Sequence, residues 1–168
     1  MEETYNELKE RIDQLENWKK SARKSFFQDK IELLQKIKTN LGDAVDDIID
    51  SHVREDNLGF WQNISKNVST PDVGALVQKL WVEMCAPGGI EYDVTTRGEI
   101  TQMHVTKCPF ADMARELGLE KWGYQFYCMS DYAIVEGFNP KIEFTRTKTL
   151  MQGHDCCDHT YQLRKNNV

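Results

Sequence analysis

The apolar residues change their spacing at Pro87-Gly88-Gly89, from steps of three and four before it to steps of two after it. Helices therefore lead and strands follow, an order that predicts an α+β fold with an antiparallel sheet rather than alternating parallel units. Before the break, Leu8, Ile12, Leu15, Ala22 and Phe26 recur at helical spacing, and Ile31, Leu34, Ile37 and Leu41 continue in a shifted phase. Glu2 to about Asn40 reads as two helices or one kinked helix. A heptad reading puts Lys19 in the seam and is short, so a surface helix packed on its own domain is preferred to a dimer zipper. A homodimer through these N-terminal helices stays open.

Asp43 to about Asn63 reads as a further helix, capped by Asp43 and interrupted by Gly59. Thr70-Pro71-Asp72 is a helix-start signal, and Val73, Leu76, Val77, Leu80, Trp81 and Met84 form the most regular apolar stripe of the chain. Cys85 at its end is read as a buried small side chain. After the break, Glu91 to Thr96 and Glu99 to Lys107 alternate as a hairpin across Arg97-Gly98. Phe110 to Leu117 is a short helix closed by Gly118, and Trp122 to Gly137 is another, stopped by Phe138-Asn139-Pro140. Lys141 to Leu150 and Cys157 to Arg164 supply the last two strands. The expected architecture is N-terminal helices packed with an antiparallel sheet of about four strands, with helices inserted between the hairpin and the last two strands. A chain of 168 residues fits a single domain, 1-168, with a helical portion 1-88 and a sheet-containing portion 89-168.

Lys and Arg total 21 against 27 Asp and Glu, a formal charge of −6, and no segment supplies the basic stripe that a phosphate-backbone reader needs. No apolar run approaches the roughly 20 residues that cross a bilayer, and the acidic, polar N-terminus is unlike a signal sequence. Nucleic acid and membrane are therefore excluded as partners, and a soluble cytoplasmic protein is expected. The five cysteines are an odd number and include the neighbours Cys156 and Cys157, so reduced thiols fit better than a disulfide framework.

The densest run of reactive groups is Gly153-His154-Asp155-Cys156-Cys157-Asp158-His159. Strand alternation turns Cys157, His159, Tyr161 and Leu163 toward the core and Cys156 and Asp158 away from it, with His154 in the turn over a pocket mouth. On the helix from Trp122, Cys128 and Asp131 are three apart and share a face flanked by Tyr124, Tyr132 and Val135. Cys108 stands at the start of a helix, where free backbone amides would lower its pKa. Cys108, Cys128, Asp131, Cys157 and His159 are expected to converge. Their spacing is not that of a structural zinc finger, but a divalent metal held by Cys128, Cys157 and His159 stays open.

The runs Thr106-Lys107-Cys108-Pro109-Phe110, Cys128-Met129-Ser130-Asp131, Asn139-Pro140 and Gly153 to His159 resemble the L-2-amino-thiazoline-4-carboxylic acid hydrolase family over roughly Tyr92 to Arg164. Cys157 corresponds to that family's cysteine after the turn glycine, and His159 stands where an aromatic residue is more usual. The resemblance implies ring-opening hydrolysis of a C–N bond in a small cyclic amidine. Such chemistry needs a nucleophile, a proton donor and a cation for the substrate carboxylate. Cys128 or Cys157 serves as nucleophile, Asp131 as acid and base with Cys108 nearby, and Arg146, His154 and His159 as substrate-binding groups. A metal-bound hydroxide is the alternative route to the same reaction. The other readings are a non-enzymatic sensor domain that binds a metal or small molecule through its thiols, and a thiol redox protein, which would more naturally carry CxxC.

Overall fold

The computed structural model describes residues 4–164. The contacts divide the chain into two units, Met1–Val45 and Asp46–Val168.

The first unit is dominated by one helix, α1 (Tyr5–Leu41), in place of the two helices or kinked helix expected. Thr4 and Glu7 form a capping box at its start, and Gly42 closes it by donating its amide to Lys38 O. Glu2 and Glu3, the first residues of the expected helix, lie outside the described residues. The phase shift near Ile31 does not break the helix. Phe27 and Ile31, near the phase shift, are its buried residues.

The second unit begins within α2 (Ala44–Lys66), which runs straight through Gly59. Its later turns carry the buried Ile49, Val53 and Trp61. Asp72 caps the next helix, α3 (residues 73–85), by accepting a hydrogen bond from Ala75 N at 2.9 Å. Only Val73–Leu76 is α-helical there; Val77–Cys85 winds as a π-helix. The hairpin β1 (Glu91–Arg97) and β2 (Ile100–Lys107) follows, with its turn at Gly98 in the left-handed region, φ 62. Next come α4 (Pro109–Leu117) and the helical segment α5 (residues 120–138), whose middle, Tyr124–Cys128, is again π-helical. A Cβ on Gly137 would stand 2.6 Å from Leu58 O, so glycine is what lets α5 approach α2 this closely.

The last strands are β3 (Ile142–Thr145) and β4 (Cys157–Leu163), giving an antiparallel sheet in the order β1-β2-β4-β3. The α+β expectation is met. The strand expected from Lys141 to Leu150 stops at Thr145, for a visible reason. The amides of Thr147 and Lys148 donate to the Asp158 carboxylate at 2.8 and 2.6 Å instead of continuing the ladder, and Leu150 then opens a 3-10 turn. Register pairs Val105 with Cys157, Met103 with His159 and Phe144 with Tyr161, which puts these side chains on one face of the sheet. That face packs with Trp61, Leu76, Trp81, Ile134 and Phe138 of the helices into one core. Tyr161 is buried with its hydroxyl accepting from Trp81 Nε1 at 3.2 Å. Leu163, expected inward, is exposed at the end of β4.

Candidate functional site

A cavity of about 270 Å³ lies in the second unit between the inner face of the sheet and helices α3 and α5. The sheet contributes Val105, Cys157 and His159, α3 contributes Trp81 and Cys85, and α5 contributes Cys128 and Asp131. Both π-helical segments end at a cavity cysteine, Cys85 in α3 and Cys128 in α5. π-helical turns are rare and concentrate at functional sites.

The polar centre of the cavity is one carboxylate oxygen with two partners. Asp131 Oδ2 accepts from Arg146 Nη1 and lies 3.2 Å from His159 Nε2. Arg146 Nη1 also donates to Cys128 O at 3.0 Å, tying the guanidinium to the end of the π-helical turn. The guanidinium lies 5.7 Å from the ring centres of Tyr124 and Tyr132, within cation–π range of both. Burial works most strongly against the Arg146 charge, but Asp131, Cys128 and Tyr124 together more than offset it and raise its pKa above the ordinary value.

His159 fills an aromatic slot. Its ring stacks on Phe144 with centres 5.7 Å apart and meets Trp81 edge-on at 5.0 Å. Two buried side-chain polar atoms among the described residues have no hydrogen-bond partner, and both belong to this centre: Arg146 Nη2 and His159 Nδ1. Leaving a buried polar group unpaired costs about 1–3 kcal/mol, so such atoms are uncommon in folded proteins unless something else meets them.

Four thiols line the same cavity: Cys85, Cys108, Cys128 and Cys157. Burial pushes the Cys85 thiol up to about 12 and Cys157 up to about 11, and it raises Cys128 further, with Asp131 adding to the effect. The expected lowering of Cys108 does not occur. Burial raises it, and the amides of Ala111 and Phe110 at the start of α4 pull it back only in part. Leu150 N donates to Cys157 Sγ at 3.2 Å, a contact that favours its thiolate. At neutral pH the four are thiols, so any one of them needs a base before it can attack carbon.

The remaining sequence candidates fall elsewhere. His154 is exposed in the turn before β4 and is not part of the cavity lining. Cys156 is buried outside it, 3.6 Å from Asp155 Oδ1. Among the described residues no group of three or more His, Cys, Asp and Glu side chains is arranged to hold a metal ion, and Cys128, Cys157 and His159 line the cavity without forming one. Cys85 and Trp81 were missed as site residues. Their spacing of four on one helix, which puts them on neighbouring turns of one face, was the available signal.

The site is thus an apolar cavity in an α+β domain, with three half-buried thiols and the buried Cys157 around an Asp–Arg–His centre, and no helix among the described residues is long and apolar enough to cross a membrane. The model of the L-2-amino-thiazoline-4-carboxylic acid hydrolase family matches residues 2–161, so the chain belongs to that family. No curated protein matches it. Among solved structures, it is similar to a trafficking protein particle complex subunit 3 from Naegleria fowleri, covalently bound to palmitic acid. Identity is 12%, coverage 84% of this chain and 95% of that one, and the TM-score 0.50, a likeness of fold alone.

Proposed function

We propose that this protein hydrolyses a C–N bond of a small cyclic amidine that carries a carboxylate, with Cys157, His159, Asp131 and Arg146 as its working residues. The observation that carries the reading is the pair of unpartnered buried atoms, Arg146 Nη2 and His159 Nδ1, at one carboxylate in one cavity. A donor held on a permanent cation suits a substrate carboxylate. An imidazole that gives Nε2–H to Asp131 keeps the lone pair on Nδ1, which suits a general base. Size agrees: a cavity of roughly 150 Å³ takes benzene, so about 270 Å³ takes about ten non-hydrogen atoms. A five-membered ring bearing an amino group and a carboxylate is of that size.

His159 Nδ1, which has no partner of its own, takes the Cys157 proton through one bridging water as the sulfur bonds to the amidine carbon, with Leu150 N stabilising the developing thiolate. The ring C–N bond breaks and His159 returns the proton to the departing nitrogen. Water then adds at the same carbon and the C–S bond to Cys157 breaks, restoring the thiol and leaving the ring opened. Cys128 and Cys108 wall the cavity beside Arg146 and Asp131, and Cys128 is the alternative nucleophile. The test is turnover of L-2-amino-thiazoline-4-carboxylate by the purified protein, compared with Cys157→Ser and Cys128→Ser.

A second reading is supported by the raised thiols and by the fold likeness to a subunit of a trafficking complex. Here the cavity holds a small carboxylate ligand without turning it over. Calorimetric binding of the aminothiazoline carboxylate without product formation would favour it over hydrolysis.

A further inference from the structure

The geometry points to an antiparallel two-stranded coiled coil between the α1 helices of two copies of this chain. In α1, Tyr5, Leu8, Ile12, Leu15, Lys19, Ala22, Phe26, Asp29 and Leu33 follow one another in strictly alternating steps of three and four. That is a 3.5-residue repeat, which wraps one helix around another. The apolar members are exposed: Leu8 48%, Ile12 51%, Leu15 59%, Phe26 72% and Leu33 60%. The buried residues of α1, Phe27 and Ile31, lie on a different side, roughly 150° around the helix. The seam is thus a second apolar face, which the buried side of the helix leaves open.

Charge chooses the occupant and its direction. Lys19 and Asp29 are the two charged members of the seam, and both are exposed. In a parallel in-register pair each would face its own copy, placing like charges together. In the antiparallel register that sets Lys19 against Asp29 of the second copy, Leu15 meets Leu33 and small Ala22 meets large Phe26, each contact occurring twice by symmetry. Glu16 and Lys30 then face each other along the flank of the seam. Arg23 meets Arg23 at the rim, where solvent screens the repulsion. One register therefore pairs every layer from Leu15 to Leu33 by charge or by size.

The test uses the full chain in sedimentation velocity at micromolar concentration, with circular dichroism to confirm that each variant keeps its helix content. The expected wild-type species is a dimer. Lys19→Asp and Asp29→Lys are each expected to weaken it at least about tenfold, and the double variant to restore it. Ser25→Cys, beside the two-fold axis, is expected to cross-link the dimer on mild oxidation, whereas Ile12→Cys is not. A monomer in solution, including one that binds anionic phosphatidylserine vesicles through this face, overturns the inference. So does a dimer indifferent to the single charge changes, or one cross-linked through Ile12→Cys.

Discussion

His159 Nε2 lies 3.2 Å from Asp131 Oδ2, the same oxygen that accepts Arg146 Nη1. One carboxylate atom thus orients an imidazole and neutralises a guanidinium whose side chain is 2% exposed. Arg146 follows β3, His159 lies within β4 and Asp131 lies on α5, so three elements meet at this one oxygen. The arrangement leaves each partner with one unsatisfied nitrogen, Arg146 Nη2 and His159 Nδ1.

Removing that carboxylate should be felt first as instability. Asp131→Ala leaves the Arg146 charge buried without its counterion, at a cost of about 3 kcal/mol. Urea denaturation should show a lower midpoint with an unchanged slope, and Asp131→Asn, which keeps a hydrogen-bond acceptor, should lose less.

Arg146→Lys separates binding from chemistry. Lysine keeps a positive charge for Asp131 but lacks the second guanidinium nitrogen assigned to the substrate carboxylate. KM should rise about tenfold or more, since a hydrogen bond to a charged group contributes about 1.5–3 kcal/mol, while kcat changes less. A substrate analogue without the carboxylate should show no such difference between wild type and variant.

The thiols make stability depend on alkaline pH. Cys157 is raised to about 11 and Cys85 to about 12 from an ordinary 9.0, so between these limits the unfolded chain has released protons that the folded chain still holds. The stabilisation is fully present below pH 9 and is lost as pH rises through 11 and 12. Urea midpoints should therefore be flat to about pH 8 and fall above it, and Cys85→Ala should flatten the fall if it does not disturb the packing.

Asp158 holds the segment that carries Arg146. Burial would raise its carboxyl, but the Thr147 hydroxyl and the amides of Lys148 and Thr147 more than offset this, and its pKa lies below the ordinary value. Its contribution is present above the ordinary carboxylate range and is lost as pH falls through and below it. Asp158→Ala should cost about 1–3 kcal/mol and should raise KM through a displaced Arg146, measured by denaturation and by steady-state kinetics.

Much of the site was legible because two simple periods carry it. The three-residue step from Cys128 to Asp131 and the two-residue step from Cys157 to His159 place each pair on one face, and both pairs line the cavity. What the periods cannot convey is long-range hydrogen bonding. The strand from Lys141 ends at Thr145 because Asp158, eleven residues after Thr147, takes its amide; no local pattern announces that. Cys108 has the helix-start amides that sequence suggests, yet burial outweighs them, and burial belongs to the whole fold. The π-helical turns at Cys85 and Cys128 likewise leave no mark in the apolar stripe.

The most direct measurement is single-turnover hydrolysis of L-2-amino-thiazoline-4-carboxylate by the wild type, Cys157→Ser, Cys128→Ser and His159→Gln. The account predicts ring opening by the wild type and a loss of at least about a hundredfold in Cys157→Ser and His159→Gln, with a smaller loss in Cys128→Ser. An intact ring after incubation with the wild type, or undiminished turnover in both Cys157→Ser and His159→Gln, would contradict it.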